Sequence, residues 1–208
     1  MMAFTGFHQD DFNVFDIDGL DERMESIRNR IQPKFKAIGD ELTEPVSRMT
    51  GQEMHVHIAK HARRTKNPPN DTWMAFSHDK KGYKKHPHFQ IGLFDDHLFM
   101  WLAYIYELPG KEQVAESFLN HITDIHQSIP GDYVISLDHT KKEAERLDAI
   151  DLEKALTRLQ NVKKAEFLIG RHFQPDDSVL KDRNRFLKEA QTTFQTLTPL
   201  FNISMEST

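Results

Sequence analysis

The residues with the greatest capacity for chemistry lie between His55 and His88. That stretch holds six of the twelve histidines and eight of the 27 Lys and Arg residues, against only two acids, Asp71 and Asp79. It carries a formal +6 in a chain whose total is −5, so the other 174 residues sum to −11. Same-sign charges crowded together repel unless an opposite partner offsets them, which predicts an anion-facing site. Arg63 and Arg64, flanked by Lys60 and Lys66, precede a Pro-Pro segment, and Lys80, Lys81, Lys84 and Lys85 follow it. Arginine offers a planar fork for phosphate or carboxylate, and lysine a mobile point charge. Arg63 and Arg64, wedged between a strand and a stiff loop, are the expected anion clamps. Lys84 or Lys85 would supply a second charge, whereas Lys80 and Lys81 read as a solvated turn.

The histidines admit two kinds of chemistry. His55 and His57 are two apart on an expected strand and share a face, as do His86 and His88 if their strand starts that early. Two such pairs, with Asp71 as an oxygen ligand, have the donor types for Zn²⁺ or another divalent metal. Eight cations in the same stretch oppose a dication, so the expectation is hydrogen-bonded histidines and no tightly bound transition metal. His57 and His88 would then act as hydrogen-bond donors or as acid/base groups, with Asp71 orienting one of them. The segment Asn67-Pro68-Pro69-Asn70-Asp71-Thr72-Trp73 adds a platform, because two prolines stiffen whatever flanks them. Asn70 and Asp71 would present an amide and a carboxylate, with Trp73 available to stack on a base or ring. The competing reading is a capped turn with Trp73 in the core. No phosphate-cradling glycine loop, nucleotide fingerprint or nucleophile elbow is present, so no cofactor is assigned.

The elements that must hold these groups follow from periodicity. Met54, Val56 and Ile58 alternate with His55, His57 and Ala59, giving a strand. Thr72–Phe76 is a second strand, and Phe89, Ile91 and Leu93 mark a third. Asp95-Asp96 begins a tight hairpin into a doubly apolar central strand, His97–Ile105. If the first and third strands are neighbours, both basic clusters rim one end of the sheet. Before this block lies an arm with Phe4, Phe7, Phe12 and Phe15, in which Val14–Ile17 reads as a short edge strand. Asp18 is placed to cap a helix carrying Leu20, Met24, Ile27 and Ile31, which Pro33 should kink or break. A second helix carries Phe35 to Met49, with a further break expected near Pro45 and a stop at Gly51. After the block come a helix 111–127, a strand Tyr133–Leu137, a helix 151–163, a strand Glu166–Phe173 and a helix from Asp177 to about Phe201. Gly170-Arg171-His172 could add a cation and an imidazole to the site. Hairpin-joined strands with helices before and after them indicate an α+β fold, in one domain spanning 1–208.

Composition narrows the function classes. The absence of cysteine excludes disulfides, thiolate metal sites and a cysteine nucleophile, and fits a reducing compartment. No stretch approaches about 18 apolar residues, and the N-terminus lacks the order of a signal peptide. A soluble, cytoplasmic protein with no membrane partner is expected. Overall acidity argues against a broad nucleic-acid coat, so any RNA contact would be local.

The runs HVHIAKHARRTKNPPNDTW and KKGYKKHPHFQIGLF closely resemble the YktB family, a bacterial family of unknown function. The opening GFHQDDFNVFDIDGLDERM and the IQPKF around Pro33 match it too, so the resemblance covers essentially the whole chain. It implies a single α+β domain with a mainly antiparallel sheet, similar to that of class II synthetases and biotin ligases. It implies no activity. More loosely, His57-Ile58-Ala59 and His88-Phe89-Gln90 resemble the His-apolar-Ser/Thr strand motifs of two-histidine phosphoesterases. Ala59 and Gln90 stand where that pattern needs hydroxyls, and the 31-residue spacing is short for it. The reading that results is a protein that binds a phosphorylated or carboxylated small molecule, a nucleotide being one candidate, in a basic pocket built from residues 55–92. The competing class is a non-enzymatic RNA- or protein-binding module using the same basic face. Substrate, reaction and oligomeric state are not legible.

Overall fold

The computed structural model describes residues 4–207. Seven antiparallel strands form one sheet: β1 (His55–Ile58), β2 (Thr72–Ser77), β3 (His88–Leu93), β4 (Leu98–Tyr104), β5 (Val134–Ser136), β6 (Glu145–Arg146) and β7 (Phe167–Phe173). Their spatial order is β1-β2-β3-β4-β7-β5-β6. The fold is α+β, as the grouping of strands and helices in the chain requires.

Strand parity gives the sheet two unlike faces. One face carries Val56, Met74, Phe76, Phe89, Ile91, Met100, Leu102 and Ile169, and buries them under the helices. The long helices α3 (Gln32–Thr50) and α7 (Arg183–Glu206) pack directly on the sheet, and α4 (Lys111–Asn120) packs against α6 (Leu152–Asn161) beside them. Phenylalanines supply much of the bulk between the layers; Phe89, for example, lies 4.7 Å from Phe194 and 5.4 Å from Phe201 between ring centroids. The aromatic arm, which includes the one-turn helix α1 (Gln9–Phe12), joins this core, with Phe4 and Phe7 at 5.1 and 5.4 Å from Phe186. The opposite face carries His57, Trp73, Ala75, His88, Gln90 and Trp101, and loops rather than helices cover it. Its apolar part is a small separate cluster of Phe94, Phe99, Trp101, Ala103, Ile105 and Leu168.

Several local expectations are corrected. Val14–Ile17 is not an edge strand: Asn13–Asp16 form a 3-10 turn that tucks Val14 and Phe15 into the core. Asp18 does not cap the next helix, α2 (Leu20–Ser26), which starts after Gly19 at φ 87° with no side-chain cap. Pro33 does not break the helical path. Residues Ile27–Ile31 widen into a π turn that leads into α3, where Pro33 occupies the first turn. The wider turn is the usual accommodation where the ladder loses a donor and the ring would strike a carbonyl. Pro45 is carried inside α3, which does end at Gly51 in the left-handed region, φ 67°. The helix expected over 111–127 is two, α4 and α5 (Ile122–Ser128), interrupted at His121, where φ is −110°. The last helix starts at Arg183, not Asp177, because Asp182 accepts from the Arg185 N–H and sets the cap.

Strand order also corrects the placement of the basic clusters. β2 lies between β1 and β3, so the two strands are not neighbours. Loop 59–71 joins β1 to β2 at one end of the sheet, and loop 78–87 joins β2 to β3 at the other. Consecutive antiparallel hairpins turn at alternate ends.

Candidate functional site

Cross-strand register aligns the helix-free face. His57 pairs with Ala75, Ala75 with Gln90, Gln90 with Trp101, and Trp101 with Gly170. His88 lies one step along on the same face, two residues before Gln90, and faces Ala103 across β4. Loop 78–87 leaves its own end of the sheet and folds back over this face. Its Tyr83 ring sits 5.7 Å from that of His57 and 4.9 Å from that of His88. The Tyr83 hydroxyl accepts from Trp73 Nε1 at 3.0 Å. His57 and His88 therefore share a face and flank one phenol, which fills the space between them. Burial pushes the Tyr83 hydroxyl up to about 12, so it stays protonated.

Hydrogen bonds fix the histidine tautomers. His88 is fully buried; its Nδ1–H donates to the His86 carbonyl at 2.7 Å, leaving Nε2 to accept from Gln90 Nε2 at 2.8 Å. Burial lowers its pKa to about 4, so it is a neutral, doubly bonded imidazole at neutral pH. His57 donates through Nε2 to the Asp79 carbonyl at 2.9 Å and so keeps Nδ1 as an acceptor. His86 leans on Asp79 at 3.2 Å and on the His78 ring at 4.5 Å, apart from the other pair.

Trp73 is the hub of the other half. His61 meets it edge-on at 5.6 Å, and His139, from the loop after β5, at 6.3 Å. His61 is the one non-glycine with positive φ among the described residues, at 49°, and its Nε2 reaches Thr72 Oγ1 at 3.1 Å. Such strain persists only where its surroundings enforce it. Burial, helped by the Arg64 charge, lowers the His61 imidazole to about 4. Asp71 sits beside Trp73 in sequence and is 6% exposed. Burial pushes its carboxyl up to about 6, against the opposing fields of His139 and Arg64. Asp71 thus lies within the field of His139, and it makes no hydrogen bond to His57 or His88 among the described residues. Burial also pulls on the His139 imidazole, but its hydrogen bond to Glu166 and the charge of that carboxylate outweigh the penalty and raise it.

The remaining expected residues disperse. Arg63 and Arg64 are exposed at the rim of loop 59–71, and neither makes an ion pair among the described residues. The loop under them is clamped: Arg23 donates from Nη1 to the Pro69 carbonyl at 2.9 Å and from Nε to that of Ile17 at 2.8 Å. Asn70 points to a cleft of about 410 Å³ lined also by Phe15, Phe94, Asp95 and Lys142. Lys84 pairs with Glu107 at 3.4 Å, and Lys85 lines a separate cavity of about 480 Å³ with His78, His86 and Leu108. Arg171 faces the helical layer, where it pairs with Glu189 and lies over Phe173, 4.8 Å from the ring centroid. His172 is on the helix-free face, but its ring stacks on His97 at 4.0 Å, away from His57.

Sequence reasoning missed His139 and Glu166. Both lie outside the basic stretch, in a turn and at a strand start, and neither carries a spacing signal. The strand expected over Glu166–Phe173 includes Glu166 at its start, where the structure buries the carboxylate.

Fold and site together define an α+β protein with helices on one sheet face and a loop-covered, histidine- and aromatic-lined cluster on the other. The family model described as a domain of unknown function, DUF1054, matches residues 7–201, and the chain belongs to that family. It is 53% identical over 204 residues to a UPF0637 protein of Shouchella clausii, covering 98% of this chain and 97% of the relative. A UPF0637 protein of Oceanobacillus iheyensis is 52% identical over 204 residues, 98% of each chain. One from Listeria monocytogenes is 46% identical over 205 residues, 99% of this chain and all of the relative. The family resemblance read from the motifs around 55–93 is thereby borne out. Among the described residues, no helix is long and apolar enough to cross a membrane.

Proposed function

We propose that this chain binds a small phosphorylated or carboxylated molecule, in the chemical class of a nucleotide, beside Trp73 on the helix-free face. One observation carries the reading. Two arginines without acidic partners among the described residues stand on a clamped loop that also holds strained His61 and buried Asp71 and leads into the Trp73 hub on β2. Arg63 and Arg64 would meet the anion, and Trp73 with Tyr83 would meet a ring. Asp71 and the free Nδ1 of His57 are the groups placed to exchange hydrogen bonds or protons with it. His88, with both nitrogens engaged, would act through Gln90 by holding that amide in place. Lys84 and Lys85 lie at the other end of the sheet, and in this reading they contribute field rather than contact.

A second reading draws on Lys80 and Lys81, which are exposed and form no ion pair among the described residues. With the arginines they could serve a non-enzymatic RNA-binding face. The experiment that separates the two is a thermal-shift screen of nucleotides, sugar phosphates and short RNAs, with titration of any hit at two salt concentrations. For a small ligand, Arg63→Ala and Arg64→Ala should each weaken binding by about 1.5–3 kcal/mol, as for hydrogen bonds to charged groups. Lys80→Ala and Lys81→Ala should change it little. Stabilisation by RNA alone, with a log–log salt slope near −0.7 per phosphate shared across all the cations, would replace the small-molecule reading.

A further inference from the structure

The loop after β5 brings Asp138 and His139 against Glu166, the residue that precedes β7. One oxygen of Asp138, one ring nitrogen of His139 and one oxygen of Glu166 all lie within 4.8 Å of one another. His139 Nδ1 is 2.9 and 2.8 Å from the two Glu166 oxygens. We propose that these three side chains form a binding site for a first-row divalent cation, of the Zn²⁺ or Mn²⁺ class.

The donor set suits such an ion. Two carboxylates and one imidazole match the mixed oxygen and nitrogen ligation of both metals, at about 2.0–2.2 Å from the ion. Ligands at that radius stand somewhat farther apart than His139 and Glu166 do now, so the imidazole would move by a fraction of an ångström. To free the Nδ1 lone pair for the ion, the imidazolium would release that proton to solvent, whereas the neutral ring would carry its one proton on Nε2 instead. Glu166 is 4% exposed, and its orientation is fixed by the backbone N–H of His139 at 2.9 Å and that of Tyr106 at 3.3 Å. Such outer donors hold a ligating carboxylate in place in metal sites. Asp138 also borders a cavity of about 500 Å³ lined by Leu137, Lys141 and Arg158 among others.

A second observation comes from another loop. Asp71 is buried, interacts electrostatically with His139, and accepts no hydrogen bond from another residue among those described; only its own N–H serves it. The fields of three carboxylates, of Asp71, Asp138 and Glu166, thus meet at one imidazole. Arg64, Lys141 and Lys111 are the cations whose fields reach them. A buried carboxylate served by its own N–H alone is costly. A dication nearby would offset that cost.

The test uses untagged full-length protein, freed of metal with a chelator. Zn²⁺ and Mn²⁺ are titrated separately by calorimetry, and the metal content after dialysis is measured by elemental mass spectrometry. The expected result is one ion per chain. Asp138→Asn should weaken binding at least tenfold while leaving the metal-free melting temperature within a degree or two, because the amide oxygen still accepts from Thr140. His139→Gln should weaken it comparably. His55→Gln together with His57→Gln should not alter it. The proposal is overturned if neither ion binds below about millimolar concentration. It is overturned equally if Asp138→Asn and His139→Gln bind as the parent does, or if the His55 and His57 pair abolishes binding instead. Arg63 and Arg64 supply no ligand to this site, so ligand binding and metal binding can fail independently.

Discussion

His88 gives the sharpest quantitative expectation. Its imidazole is held neutral in the fold with a pKa near 4, against 6.5 for an unperturbed histidine. Between those values the unfolded chain binds the proton and the folded chain does not, so stability falls as pH drops through the window. The contribution is fully present above 6.5 and fully lost below about 4. Each pKa unit is worth about 1.36 kcal/mol, so the whole difference is on the order of 3 kcal/mol, of which about 2 kcal/mol is lost between pH 7.5 and 5. Other groups titrate in the same range. His61 adds loss of the same sign, whereas Asp71, raised to about 6, is less destabilising once protonated and opposes it. A difference of differences isolates His88. His88→Asn keeps the donation to the His86 carbonyl but has no ring to protonate. Urea unfolding of both proteins at pH 7.5 and pH 5 should show the variant losing about 2 kcal/mol less than the parent. The comparison holds even if the variant is less stable at both values. Equal losses, within about 0.5 kcal/mol, would refute the account of a sealed neutral imidazole.

Two further expectations test the frame that holds the site. Lys111 is 3% exposed and donates from Nζ to the carbonyls of Leu159, Val162 and Ala165, at 3.2, 2.5 and 3.2 Å, closing the end of α6. Lys111→Met should cost on the order of 3 kcal/mol in urea unfolding at pH 7.5, and a cost below about 1 kcal/mol would show that water replaces those bonds freely. A Cβ on Gly170 would come 1.8 Å from the Met100 carbonyl oxygen, so Gly170→Ala must part β4 from β7. It should yield insoluble protein or lose more than about 3 kcal/mol, whereas Gly82→Ala, with no atom within 4 Å of the new carbon, should stay within about 0.5 kcal/mol. Soluble Gly170→Ala protein with parental stability would contradict the register.

The sheet was legible because its signals are local. Alternation at 54–59 and 88–94, the Asp95-Asp96 turn and the doubly apolar 97–105 each depend on a few neighbouring residues, and every strand they imply is present. The helix boundaries were less legible where two local rules compete. Pro33 forbids one hydrogen bond, but a π turn satisfies the chain at less cost than ending a helix whose Phe35, Ile38 and Leu42 are fully buried. Asp177 looks like a cap, yet its carboxylate accepts from Val179 in a turn, and Asp182 caps α7 in its place. Of the site, the shared face of His57 and His88 followed from parity. The partners did not: Tyr83 reaches Trp73 only because loop 78–87 folds back, and His139 meets Trp73 across more than 60 residues of chain.

Charge in this chain teaches a separate lesson about inference from a run of residues. Eight cations within 34 positions suggest one electropositive surface, and on a helix or in a single loop they would make one. Here the run is threaded through β1, β2 and the start of β3, and a meander sends successive loops to opposite ends. Lys60, Arg63, Arg64 and Lys66 fall at one end, and Lys80, Lys81, Lys84 and Lys85 belong to the loop rooted at the other. The second group already has an acidic neighbour in Glu107, while the first has none within ion-pair distance among the described residues. Repulsion within the run is therefore relieved by the topology itself, without any ligand. What still asks for an anion is only the arginine half, where two exposed guanidinium groups stand on a loop that Arg23 and two prolines keep from moving away. The carboxylates of Asp71, Asp138 and Glu166 gather nearby on the same face, so the site as folded is bipolar. A ligand that satisfied it would present an anion to Arg63 and Arg64 and a cation or hydrogen-bond donors to Asp71, which a simple polyanion does not.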